Sequence, residues 1–309
     1  MAQNSDNSQM VIASWHKKLL ITTAIFTVLL IAMGGVLCMT QSIRDCPDWP
    51  GCFGRVIPPA ETGPILEYTH RVLAALSGLL ILSSAVVGLV RARRSLWISL
   101  PPLVSIVLLI EVSYFGARVV LQGLSPGWAA VDVGSALLVV ALMITSAVVA
   151  STVKANSTKN VQLKYKSSLA KLVLAVTLVV YLILVSGILV AGKNSVTGCL
   201  GWPIYSQQLV QMDAQNVGEV IRQVASLIGI VLILVVLVIT WRNRQGYPSL
   251  FQLARWVGVV FLIEMLLQIL ILIYGHLTGL LVAYTVSMAA FWGMLVAFTA
   301  RVGLEEAPA

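Results

Sequence analysis

Charge is scarce in this 309-residue chain. Asp, Glu, Lys and Arg together make up 10% of it, against about 25% in a soluble globular domain. That scarcity excludes a water-soluble fold. The net charge of +8 does not mark a nucleic-acid partner either, because the basic residues lie in short segments between apolar runs, as membrane topology requires. Histidine is scarcer still. The three residues His16, His70 and His276 are the only imidazoles available to any chemistry. There are four cysteines. No cleavable signal is expected, since residues 1–15 are polar and mixed and the first apolar run is long enough to be kept as a helix.

What the chain has in abundance is apolar length. It is 59% hydrophobic, with a mean hydropathy of +0.94. A span needs about 20 mainly apolar residues, because lipid offers the backbone no hydrogen-bond partner. Eight runs qualify: 19–40, 67–90, 97–120, 128–150, 169–191, 217–240, 252–275 and 279–301. With the N-terminus inside, 14 of the 20 Lys and Arg residues fall on the inner side, which places both termini in the cytoplasm. Residues 151–168 are polar and rich in Ser, Lys and Asn. They read as an inner linker between an N-terminal unit, 1–150, and a C-terminal unit, 169–309. A shift of 153 positions sets Cys46 on Cys199, Trp49 on Trp202, Pro50 on Pro203 and Glu111 on Glu264. Each half has an even number of spans, so the repeat is parallel. The expected fold is an all-α polytopic membrane protein, with eight transmembrane helices as two parallel-repeat four-helix bundles.

The distinctive stretch runs from Gly34-Gly35 through Cys46-Pro-Asp-Trp-Pro-Gly-Cys52 to Glu67-Tyr-Thr-His-Arg71. Glu67 and His70 are three apart and share a helix face. They read either as solvated residues at the interface, bonded to the loop backbone, or as an acid–base group beside a heme ligand, since imidazole is a common axial ligand to heme iron. Arg71 reads as an interfacial anchor or as the partner of a heme propionate. Cys46 and Cys52 bracket a tight loop compatible with a disulfide, serving as a clip or as a thiol–disulfide redox pair. Cys199 lacks the matching partner, because Tyr205 stands where Cys52 maps, and Cys38 reads as a small packing residue. His16 is expected to be interfacial and solvated, and His276 to lie in an outer turn. Glu111 and Glu264 suggest interior polar contacts. Asp132 is either a capping residue or a further site candidate.

These residues resemble the heme A synthase family, with Thr40, Ser42 and Pro58-Pro59 adding to the likeness, which extends over the whole eight-span layout. The resemblance implies oxidation of the C8 methyl of heme O to the formyl of heme A. It implies paired histidine ligands from the second and fourth spans of each half, a catalytic N-terminal half and a cofactor heme b in the C-terminal half. Residue by residue, Glu67 matches the family's essential glutamate, His70 its first ligand, and Cys46 and Cys52 its loop pair. Asp132 stands where the fourth-span ligand is expected. In the second half Gln223 and Thr285 stand at the ligand positions, or Arg222 if the register moves by one, so three of the four histidines are missing.

Three readings are therefore carried forward. The first is a heme A synthase-like oxidoreductase that uses the first bundle alone, with heme O as substrate and the C-terminal heme b in doubt. The second is a non-catalytic heme-binding or terminal-oxidase assembly protein on the same scaffold, which leaves the question of an enzyme open. The third is a small-solute transporter with Glu111, Glu264 and Asp132 as coupling groups. The expected location is the bacterial cytoplasmic membrane. The expected partners are heme, the lipid bilayer, heme O synthase or oxidase assembly factors, and further copies of the chain; nucleic acid is not among them.

Overall fold

Backbone groups in hydrocarbon must be satisfied within their own segment, and the apolar runs meet that demand as helices. In a computed structural model, which describes residues 12–93, 95–152, 161–190, 199, 201, 202 and 217–305, the helices are α1 Ser14–Met39, α2 Thr62–Arg91, α3 Leu96–Leu121, α4 Pro126–Thr152, α5 Ser168–Val190, α6 Val217–Arg242, α7 Pro248–Tyr274 and α8 Thr278–Glu305. All eight are long and apolar enough to cross a bilayer, and no strand forms among the described residues. The protein is an integral membrane protein. Each helix covers nearly all of its expected run, and most extend past it by a few residues. The largest gain is at α2, which starts five residues before Glu67.

The helices form two cycles of neighbours. In the first, α1 packs on α2, α2 on α3, α3 on α4 and α4 on α1; α5 to α8 repeat the same order. The cycles meet at the centre, where α8 packs on α1 and α4, and α5 packs on α4. Across that seam the Trp292 indole N–H of α8 donates to the Leu137 carbonyl of α4 at 3.1 Å. Polar side chains join helices within each cycle, where lipid offers them no alternative partner. The Thr23 and Ser84 hydroxyls share a hydrogen bond of 2.9 Å between α1 and α2. Thr177 and Thr299 do the same between α5 and α8 at 2.6 Å.

Pro101 and Pro102 lie inside α3. Proline removes a helical N–H, so Pro102 leaves the Ile98 carbonyl without its i+4 donor. Ser146 of α4 supplies one, its hydroxyl donating to Ile98 at 3.3 Å. Of the inner linker, residues 153–160 lie outside the described residues, as do Arg94, Lys154, Lys159 and Lys193 of the charge count. The end of the linker is docked on α8: the Lys164 N–H donates to the Gly303 carbonyl at 2.8 Å.

Candidate functional site

The candidate site is built where α1 ends and α2 begins. Cys46 and Cys52 form a disulfide, with Cα atoms 4.8 Å apart, and both are fully buried. Inside the ring, the Asp48 carboxylate accepts the N–H groups of Phe53 at 2.6 Å and Gly54 at 2.5 Å. Those two bonds need the chain to turn back sharply, and Gly54 does so at φ +65°, where a residue without Cβ is unstrained. The Gly54 N–H above all, with the Phe53 N–H and the charge of Arg71, holds Asp48 below the usual carboxylate range. Asp45 packs over the first turn of α2. A Cβ on Gly63 would fall 1.8 Å from its Oδ2, so any side chain there would displace the Asp45 carboxylate.

Two charged residues of α2 clamp this loop. Glu67 is 2% exposed, and its Oε2 accepts the Cys46 N–H at 2.6 Å. Its Oε1 is paired with the Arg71 guanidinium, one helical turn further on. Arg71 donates in turn to the carbonyls of Asp48 at 2.7 Å, Pro50 at 3.3 Å and Gly51. Glu67 is thus bonded to the loop backbone, as one of the two readings expected, but it is not solvated. The carboxylate is buried because the loop supplies a backbone donor and Arg71 the countercharge, the two things a buried charge needs.

His70 stands between these residues in sequence and faces α1. A Cβ on Gly34 would lie 3.4 Å from its Cε1, so the imidazole is seated on the Gly34-Gly35 step of α1. Its Nδ1 is buried and has no hydrogen-bond partner among the described residues. Asp132, on α4, lies within electrostatic reach of Glu111 on α3. One oxygen of each, Asp132 Oδ1 and Glu111 Oε1, is buried and has no partner among the described residues. The structure thus brings Glu67, Arg71, Cys46 and Cys52 into one assembly, seats His70 of the same helix against Gly34, and sets Asp132 within electrostatic reach of Glu111.

In the second half the matching places hold different chemistry. Gln223 is buried, its Oε1 without a partner among the described residues. The Thr285 hydroxyl donates to its own helix at Leu281, 2.7 Å away. Arg222 is buried and donates to the carbonyls of Gly201 at 2.8 Å and Ile183 at 3.3 Å, with Glu219 3.7 Å from its Nη1. Gly201 is the residue that the 153-residue shift sets on Asp48. Both halves therefore hold the same loop carbonyl with an arginine from their second helix. Sequence reasoning missed this clamp because Arg222 lies 151, not 153, residues after Arg71.

Two further expectations are corrected. Cys199 does have a partner: it is bonded to Cys38 at the end of α1, with Cα atoms 5.5 Å apart. Cys38 is therefore a staple between the halves, not merely a small packing residue. The repeat pointed to residue 205, which lies outside the described residues, whereas the true partner is 161 positions away. His16 is 1% exposed and lies beside Trp15, because α1 begins at Ser14 and carries it into the helix packing. His276 is exposed in the turn between α7 and α8, as expected.

The COX15-CtaA model, which describes cytochrome oxidase assembly proteins, matches residues 17–297. The chain belongs to the COX15-CtaA family. Its relatives include a heme A synthase of Exiguobacterium sp., 25% identical over 290 residues, which are 91% of this chain and 92% of that protein. A heme A synthase of Shouchella clausii is 26% identical over 292 residues, with the same coverage. A protoheme IX farnesyltransferase of Haloarcula marismortui is 38% identical over 71 residues, 23% of this chain and 15% of that protein. The match to the COX15-CtaA model takes in the clamped loop, all of α2 to α7 and most of α1 and α8, so membership rests on the whole membrane domain.

Proposed function

We propose that this chain is a heme A synthase-like membrane oxidoreductase, acting on heme O at the outer end of α1–α4 and oxidising its C8 methyl to a formyl group. The single observation that carries the reading is His70, an imidazole seated against Gly34 with a buried, unpartnered Nδ1. A buried polar atom left unpaired costs about 1–3 kcal/mol. Binding heme iron through the ring would give this histidine the ligand role that imidazole commonly fills. The residues of the first half fit such a group; those of the second do not, since neither Gln223 nor Thr285 offers an imidazole.

The remaining roles follow from the contacts. Glu67 is the acid–base candidate, its carboxylate held in one orientation by Cys46 and Arg71. Arg71 directs its described contacts to the loop and to Glu67, which supports a part in holding the loop on α2 ahead of a propionate contact. Asp132 stands where the family carries its fourth-span ligand, and Glu111 is its polar neighbour. The buried disulfide of Cys46 and Cys52 supports the clip; a redox part for it is the further step.

The neighbour cycles support α1–α4 and α5–α8 as the two units, joined by the inner linker. The bias of Lys and Arg supports both termini in the cytoplasm. The names of the relatives support a bacterial cytoplasmic membrane and an association with heme O synthase or oxidase assembly factors. A second reading, a heme-binding assembly protein without turnover, is favoured by one observation: both Glu67 oxygens are engaged in the clamp. Expression beside a heme O producer, with extraction and mass analysis of the hemes, separates the two. Heme A or its hydroxylated precursor, lost in Glu67→Ala, supports the enzyme. Heme O alone, with the protein carrying heme, supports the assembly role.

A further inference from the structure

We propose that the C-terminal half binds no heme, because a plug made of Trp202, Tyr284 and Arg222 fills its core and is anchored to the N-terminal half by the Cys38–Cys199 disulfide. Trp202 comes from the segment before α6, yet it is fully buried. Its ring tip would lie 3.1 Å from a Cβ on Gly229 of α6, and Ile183 of α5 crowds the same point. Its ring meets Phe261 of α7 edge-on at 6.3 Å, and Phe261 meets Phe291 of α8 at 5.6 Å. The indole therefore sits among all four helices of its half.

Polar bonds close the plug from the outer side. The Tyr284 hydroxyl donates to the Trp202 carbonyl at 2.6 Å, and Arg222 donates to the neighbouring Gly201 carbonyl. A Cβ on Gly201 would lie 3.0 Å from the Tyr284 ring, so this segment is pressed flat against α8. Two residues earlier, Cys199 is bonded to Cys38, which lies one turn beyond Gly34 on α1. The same short segment is thus tied covalently to one half and inserted into the other. The residues at the ligand positions point the same way: a glutamine, a threonine bonded to its own helix, and an arginine already committed to two carbonyls.

The test is the number of hemes per chain. The intact protein, purified in detergent, is titrated with hemin, freed of excess by gel filtration, and its heme measured by pyridine hemochrome against protein concentration. One heme per chain is expected, with none retained by His70→Ala and one retained by Gln223→Ala. Two hemes per chain, or a full equivalent left in His70→Ala, would overturn the closed second half. The count of one in the wild type rests on the His70 reading, but the closure of the second half does not. No heme in any variant would withdraw the His70 ligation and still agree with the plug.

Discussion

Trp49 and Trp202 stand at matching places in the two halves, but their surroundings are opposite. Trp49 is 50% exposed at the tip of a loop closed on itself by Cys46 and Cys52. Trp202 is fully buried, and its segment is closed onto the other half through Cys199 and Cys38. Both loops are held by an arginine of the following helix on the equivalent backbone carbonyl. The clamp is thus shared, and what the clamp holds has diverged. In the first half a self-contained loop is held on Glu67 and Arg71 of α2. In the second an indole is pushed down into the space between the helices. The lesson is that two matching halves can keep the same loop anchor while the residues around the loop are packed in opposite ways.

Substitutions can sharpen or break that contrast. The largest effect is expected at His70. His70→Ala should remove the Soret band of bound heme, while Gln223→Ala should leave it; equal spectra for the two variants would erase the distinction between the halves. Next in size is the loss of the plug. Trp202→Ala should cost about 3–5 kcal/mol, as for a buried Trp truncation, whereas Trp49→Ala should stay within about 0.5 kcal/mol, as for a surface site. Thermal unfolding in detergent reads both, and similar losses would contradict the opposite burial of the two indoles. Glu67→Ala leaves Arg71 without its countercharge and Cys46 without its acceptor. Breaking a buried pair costs about 3 kcal/mol at the lower end, and Glu67→Gln, which keeps an acceptor for Cys46, should recover part of that stability. A Gln variant no better than Ala would deny the clamp.

A covalent test follows. With a protease site placed between residues 156 and 157, the cleaved halves should migrate together on a non-reducing gel and separate on reduction; with Cys38→Ser they should separate under both conditions. Halves that separate without reductant in the wild type would sink the staple. A small loss, read by the same thermal unfolding, is expected at Ser146→Ala, which removes the donor to the carbonyl that Pro102 leaves free. An interhelical side-chain hydrogen bond in a membrane is worth about 0.6 kcal/mol on average.

The helices were legible because each meets a length and polarity threshold that lipid imposes on any span, whatever its neighbours. The first loop was legible because all its parts are close in sequence: six positions separate Cys46 from Cys52, and four separate Glu67 from Arg71. What could not be read was set by packing between distant segments. The repeat equated Trp202 with an exposed residue and gave no sign that it would be buried. It also placed the partner of Cys199 at residue 205, whereas the bond is made to Cys38 at the end of α1. Arg222 sat two positions off the register, so its likeness to Arg71 emerged only from the carbonyl it binds. Glu67 was read for its chemistry, yet its contacts show first what it holds in place.

The central claim is that any surviving chemistry lies in the first half, around His70 and the clamped loop. The most direct measurement is the heme extracted from cells that make heme O and express either His70→Ala or the double variant Gln223→Ala, Thr285→Ala. The account predicts oxidised heme from the double variant and none from His70→Ala, with both proteins present in the membrane at comparable levels. Oxidised heme from His70→Ala, or its loss from the double variant alone, would contradict it.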